Sequence, residues 1–243
     1  MAERTSESRT PGRLVYDGLQ ACPYLPGRIA RMPLYRQPRR LTLEQADARF
    51  ANAERRVGTC LYRTECPGCR ACEGLRIPVD QFQPSRSQRR VWKKWEGHGR
   101  VEYGAPTFTA DRVALFNRHK RERGLVAGDD AEMTAIGYAG WLVQSCVATV
   151  EMSYFYDDEL VGIGVVDLGR EGASSVYFYF SPDRADLSPG TYSVLREIEF
   201  CRTTGRSWLY LGLYVSDCRH LSYKADYLPH ERLIDGDWRR TER

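Results

Sequence analysis

Apolar and polar positions first mark a helix near residue 42. Thr42 and Gln45 make a capping box, and Leu43, Ala46, Phe50 and Ala53 form a stripe that predicts a helix to about Arg56. Residues 58–63 and 73–80 read as short strands. A second box, Ser85 with Gln88, opens a helix through Trp95, and helices are expected over 109–123 and 129–145. The character then changes. Residues 147–156, 159–168 and 174–181 are strand-like and rich in Val, Tyr and Phe, with Asp157-Asp158 as a hairpin turn. Ser188 caps a helix with Pro189 at its first position; its stripe is Thr191, Val194, Leu195, Ile198 and Cys201, and Gly205 ends it. A strand over 207–215 and a short helix around 218–226 follow.

Antiparallel strands followed by a strand–helix–strand unit describe an α+β fold with a GNAT-like acyltransferase sheet. Three regions are expected: a disordered tail over 1–15, a Cys-containing basic subdomain over 16–100, and the GNAT-like domain over 101–243. Residues 21–40, rich in Pro and Arg, read as extended or turning chain.

Charge sharpens the division. The net charge is +4. Residues 1–100 hold 20 Lys and Arg against 10 Asp and Glu, while residues 101–243 hold 16 against 22. The basic part is therefore the expected seat of a nucleic acid. In the helix after Ser85, the residues Arg86, Arg89, Arg90, Lys93 and Lys94 share a face within roughly 140°. Val91, Trp92 and Trp95 oppose them, and no acid intervenes before Glu96. A bare cationic face of that kind suits a phosphate backbone.

The eight cysteines come without an apolar leader, which argues against a disulfide framework and for a reducing cytoplasm. No apolar run would cross a bilayer. Cys66, Cys69 and Cys72, with Cys22 as a fourth, have the number and softness for a tetrahedral zinc site or an iron–sulfur cluster; free buried thiols are the plainer alternative. Cys60 is a spare candidate, and Cys146 and Cys201 read as core. The loop Pro182–Gly190 holds one Gly and a Pro that removes a backbone donor, so it makes a poor cradle for a coenzyme A pyrophosphate.

The segments CPYLPGR at 22–28, LYRTECPGCRACEGLRIPV at 61–79, PSRSQRRVWKK at 84–94, SVYFYFSPD at 175–183, SPGTYSVLREIE at 188–199 and YLGLYVSDCRHLSYKADYLPHE at 210–231 follow one another in a familiar order. They resemble the aminoacyl-tRNA–protein transferases, above all the bacterial aspartate/glutamate leucyltransferases and, more distantly, the eukaryotic arginyltransferases. That resemblance implies transfer of Leu from Leu-tRNA to the N-terminal Asp or Glu of a protein, marking it for N-end-rule degradation. It also permits metal or a cluster at the cysteines. Where eukaryotic relatives carry a further Cys, this chain has Leu25.

An aminoacyl ester is already activated, so the chemistry requires no cofactor. The acidic acceptor requires a cation, and Arg28, Arg76 and Lys224 are the candidates. Tyr223 could donate a hydrogen bond to either substrate. Backbone N–H groups near 188–191 could hold an oxyanion. No general base stands out, Asp167 being a weak possibility. Arginyl transfer, acetyl transfer from acetyl-CoA and a non-catalytic RNA-binding module are the competing functions.

Overall fold

The computed structural model describes residues 12–126 and 132–242. In chain order the first elements are β1 (Arg13–Tyr16), β2 (Leu19–Ala21), β3 (Ile29–Arg31), β4 (Leu34–Arg36), α1 (Leu43–Ala51), β5 (Arg55–Val57), β6 (Cys60–Tyr62), β7 (Glu73–Pro78), α2 (Arg86–Trp95), β8 (Gly99–Gly104) and α3 (Ala110–Glu122). Then come α4 (Ala135–Tyr138), β9 (Ala148–Tyr156), β10 (Glu159–Leu168), β11 (Gly172–Phe180), α5 (Pro189–Thr203), β12 (Trp208–Tyr214), α6 (Arg219–Ser222), β13 (His230–Ile234) and β14 (Asp237–Thr241).

One mixed sheet of eight strands, ordered β14-β13-β7-β12-β11-β10-β9-β8, forms the body of an α+β fold. Its neighbours are antiparallel except β11 and β12, which α5 joins as a parallel pair. Asp157 and Asp158 sit at φ 47° and 63°. That left-handed pair matches the twist of a tight hairpin and turns β9 into β10. Strand β10 is buried over seven consecutive residues because helices or loops cover both of its faces.

On one face, α5 buries Tyr192, Val194, Leu195, Ile198 and Cys201 against Leu209 and Leu211. Helix α2 packs beside it. Both capping boxes form as expected, at Thr42 and at Ser85. Trp95 is fully buried and stacks on Tyr192 with centroids 4.0 Å apart. Its indole N–H donates to Leu187 O at 3.0 Å, so the one polar atom of the ring is satisfied. On the other face, α1 covers Tyr210 with Phe50.

Several expectations need correction. The division at residue 100 does not follow the sheet. β7 lies between β12 and β13, and it reaches that place only by long-range pairing that local sequence does not announce. The expected tail ends earlier than residue 15: Arg13–Tyr16 is a strand paired with β4, and residues 1–11 lie outside the described ones. Helix α1 stops at Ala51, because Ala53 turns to φ 55° and Arg55–Val57 becomes a strand. The strand expected over 58–63 is half of a hairpin, with Gly58 at φ 56° in its turn.

The helix expected over 129–145 shrinks to α4 and one wide turn over Ala139–Val143, residues 127–131 being outside the description. Arg56 takes the carbonyls of Trp141 and Gln144, and the Gly58 N–H also donates to Trp141 O, so the helical ladder cannot continue. Strands β8, β13 and β14 were not expected at all. Among the described residues no helix is long and apolar enough to cross a membrane.

Candidate active site

The parallel pair β11–β12 is joined at only three positions, Gly172 to Trp208, Ala173 to Leu209 and Ser174 to Tyr210. Beyond them the strands part. β12 shifts register against β7 between Tyr210 and Gly212, where Gly212 sits at φ 78°. A Cβ on Gly212 would lie 2.7 Å from Arg55 Cζ, so the missing side chain is what lets the guanidinium pass. Arg55 then donates to Ser174 Oγ (2.9 Å), Ser175 O (2.6 Å) and Val176 O (3.2 Å). It satisfies the β11 carbonyls that no longer have a strand partner.

The parted strands open into a cavity of about 760 Å³. Tyr24, Arg55 and Tyr62 wall it from the N-terminal part; His119, Lys120 and Arg123 wall it from α3. Its other walls include β11, Leu211 and Leu213 of β12, the start of α5 and the segment from Cys218 to Lys224.

Tyr223 and Lys224, named from the sequence, do come together here. Lys224 is 9% exposed, and its Nζ donates to Leu213 O at 2.6 Å. Burial, with Arg55 adding repulsion, pulls its pKa down to about 7, against the opposing pull of Glu197. The amine is thus poised between neutral and charged at cellular pH. Tyr223 has 45% of its surface open, but what it opens onto is the cavity, and enclosure pushes its phenol up to about 12. It stays protonated and available as a donor.

Beneath Lys224, Glu197 of α5 is 1% exposed. It accepts from Ser175 Oγ at 3.3 Å, while its Oε2 has no partner among the described residues. Burial raises its pKa to about 8. Glu197 escaped the sequence reading, yet it stands three residues after Val194 and four before Cys201, on the apolar stripe of α5. An acid on a buried stripe was the available signal.

His119 lies under the same cavity, and burial lowers its pKa to about 4. Its Nδ1 stands 3.0 Å from Phe180 O and 3.2 Å from the Phe180 N, which anchors the ring to the end of β11. At the head of α5, Ser188 adopts a left-handed conformation and makes no side-chain cap, contrary to expectation. Pro189 has no N–H, and the Thr191 N–H turns back to Ser188 O. Gly190 is therefore the first residue of the helix free to offer a donor, and it lines the cavity.

The basic helix keeps its expected face. Arg86, Arg89, Arg90, Lys93 and Lys94 are all exposed, with Gln88 and Trp95 buried behind them. Lys94 Nζ donates to Asp186 O at 2.7 Å. That fixes the end of α2 against the turn Pro182–Leu187, and Ala185 and Ser188 beside that bond line the cavity. The cations thus run up to the rim without entering.

The other sequence candidates are placed elsewhere. Arg28 is exposed and outside the cavity lining. Arg76 is on the far face, held by Glu231 at 2.6 Å and sandwiched between Trp208 (3.8 Å) and Trp238 (4.2 Å). Its charge is spent on the fold. Asp167 is locked in a buried pair with Arg56, Nε to Oδ2 2.8 Å, and accepts from Thr149, so it is no free base.

Cys66, Cys22 and Cys69 lie near Cys72: burial, then these neighbouring thiols, push Cys72 up to about 12. However, Cys66 Sγ faces the backbone of Arg31, and the Leu25 N–H points at Cys22 Sγ. Among the described residues no three such side chains are arranged to hold a metal ion. Cys60, Cys146 and Cys201 are buried.

The chain matches two family models: the C terminus of arginine-tRNA-protein transferase over residues 111–234 and its N terminus over residues 20–90. It is 38% identical over 192 residues to an aspartate/glutamate leucyltransferase of Aeromonas hydrophila, covering 77% of this chain and 78% of that protein. It is 33% identical over 224 residues to one of Vibrio cholerae serotype O1, covering 90% and 92%. Among solved structures, L-PGS from Bacillus licheniformis aligns over 60% of this chain and 47% of that one at 12% identity with a TM-score of 0.42, too loose a likeness to build on.

Proposed function

The chain belongs to the arginine-tRNA-protein transferase family, and from that premise we propose that it transfers Leu from Leu-tRNA to the N-terminal Asp or Glu of a protein. The observation that carries the reading is the cavity between β11 and β12, with a poised amine at its floor and a cationic helix at its rim.

In this reading the sheet from β8 to β12 with α5 is a GNAT-like acyltransferase core. The tRNA backbone runs along Arg86, Arg89, Arg90, Lys93 and Lys94, and the esterified leucine enters the cavity. The acceptor's α-amine, with a pKa of about 7.7–8.0, is partly neutral and nucleophilic. It attacks the ester carbon, and Lys224 in its neutral form takes the proton the amine sheds. The tetrahedral oxyanion meets the Gly190 N–H at the positive end of α5. As the intermediate collapses, the C–O bond to the tRNA ribose breaks. Lys224 returns its proton to that ribose oxygen directly or through the Tyr223 hydroxyl. One peptide bond replaces one ester, and no net proton is gained or lost by the enzyme.

Holding amine and ester side by side supplies most of the effect, worth about 7–11 kcal/mol of barrier in well-oriented systems. No step passes through a metal or through the Cys22, Cys66, Cys69 and Cys72 group. The setting is the cytoplasm, where charged tRNA is made, and the product enters N-end-rule degradation. The test is transfer of labelled Leu, and separately Arg, from charged tRNA to peptides beginning with Asp, Glu or Ala. Incorporation of Leu into the acidic peptides supports the reading. Incorporation of Arg alone moves the chain to the arginyl branch, and acetylation from acetyl-CoA without either removes the proposal.

A further inference from the structure

The proposed reaction leaves one requirement unmet. An acceptor beginning with Asp or Glu brings a carboxylate into the cavity, within a few ångströms of its own α-amine. That charge must lose water, and it must find a permanent cation to offset the loss. The reader has to line the cavity, carry a charge at every working pH and have N–H groups to spare.

Most cations near the site fail one of these conditions. Arg76 is on the far face and bound to Glu231. Arg56 is bound to Asp167 and to two carbonyls. Arg55 gives three of its five N–H groups, from both terminal nitrogens, to Ser174, Ser175 and Val176, which pins its guanidinium to β11. Lys224 is buried on Leu213 O and only half charged near pH 7. His220 offers at most one N–H on each ring nitrogen and no fork.

Two remain, both at the end of α3. Lys120 and Arg123 line the cavity one turn apart, and among the described residues neither makes an ion pair. The Arg123 guanidinium carbon stands 5.2 Å from the Phe180 ring centroid, and that ring is packed against His119. A guanidinium resting on an aromatic face keeps its planar edge open for a carboxylate. Its charge is felt by His119, Tyr177 and Tyr223. Arg123 and Tyr223 line the same cavity, and Tyr223 leads to Lys224, which is where the amine must sit.

We infer that Arg123, assisted by Lys120, is the specificity-determining residue that binds the side-chain carboxylate of an acidic N-terminal acceptor. The inference rests on the leucyl-transfer reading. It separates the work of two cations: Arg123 holds the acceptor's side chain, and Lys224 handles the proton of its amine.

The experiment compares kcat/KM for Leu transfer to matched peptides beginning with Glu or Gln, using wild type, Arg123→Gln, Arg123→Lys and Lys120→Gln. A single charge-assisted contact predicts that Arg123→Gln loses about ten- to a hundred-fold on the Glu peptide. The loss should lie in the acceptor KM, with the Gln peptide and the KM for Leu-tRNA little changed. Arg123→Lys should recover part of it, because the charge remains while the fork is lost. Lys120→Gln should show a smaller loss with the same bias. Equal losses on both peptides, or a raised KM for Leu-tRNA alone, would overturn the assignment and place Arg123 on the tRNA phosphates. Absence of Leu transfer by wild type would remove the proposed function itself, a different result from a wild type that transfers with no Glu-over-Gln preference lost in the variant.

Discussion

Lys224 Nζ rests 2.6 Å from the carbonyl oxygen of Leu213, on the strand that forms one wall of the cavity. That bond occupies one N–H of the amine, and burial keeps the ammonium form expensive, so the lone pair is available near neutrality. Rates should report this directly. kcat/KM should rise with pH through two ionisations, Lys224 at about 7 and the acceptor amine near 7.7–8.0, and level off above. Lys224→Met should slow transfer by about 10²- to 10⁴-fold and leave only the ionisation of the substrate. An unaltered acid limb in that variant would rule Lys224 out as the proton acceptor.

Glu197 makes stability depend on pH in the opposite sense to an ion-paired acid. Burial raises its pKa to about 8, above the unfolded value near 4.3. Between those values the folded chain binds the extra proton, so stability falls as pH rises through that window. Lys224, lowered in the fold, costs stability below pH 7 and regains it toward pH 10. Denaturant midpoints for Glu197→Gln should therefore exceed those of wild type above pH 8, with the advantage vanishing near pH 4.5. A constant difference at every pH would show that Glu197 is not protonated in the fold.

Gly212 and Arg55 should fail together. Gly212→Ala forces a left-handed conformation, about 1–2 kcal/mol, and drives a methyl group into the guanidinium. Arg55→Ala strips Ser175 O and Val176 O of their donor, about 1–3 kcal/mol for a buried acceptor left unpaired. Thermal melts of the two single variants and the double variant should be non-additive, because the clash disappears once Arg55 is gone. Strict additivity would separate the two positions.

The exposed face of α2 should be read by salt. If Arg89 and Arg90 each neutralise a phosphate, replacing both with Ala lowers the slope of log K against log salt for tRNA by about 1.4–1.8. Melting temperature should hardly move, since both side chains are exposed and the bond from Arg89 Nη1 to Pro84 O lies at the surface. A slope equal to that of wild type would take the tRNA away from this helix.

Much of this site was readable before any coordinates, and the divide follows the range of the interactions. The capping boxes at Thr42 and Ser85, the cationic face of α2 and the neighbours Tyr223 and Lys224 are local features, set within one or two turns. The insertion of β7 between β12 and β13 is not local, and it carried Arg76 to the wrong face for a substrate role. Arg55 and Arg123 looked like any of the chain's many arginines. What distinguishes them is the parting of two strands at Gly212 and a ring contact to Phe180, and neither leaves a trace in spacing. The thiols have a metal-like spacing; that Cys22 Sγ meets the Leu25 N–H and Cys66 Sγ the Arg31 N–H is a long-range or turn detail that spacing does not carry.

The account is tested most directly by the intact mass of a peptide beginning with Glu after incubation with the protein and Leu-tRNA. One added leucyl residue on the α-amine is expected, with no addition when that amine is acetylated beforehand. Addition to the acetylated peptide, or no addition from any charged tRNA, would contradict a cavity that joins an esterified amino acid to a free N-terminus.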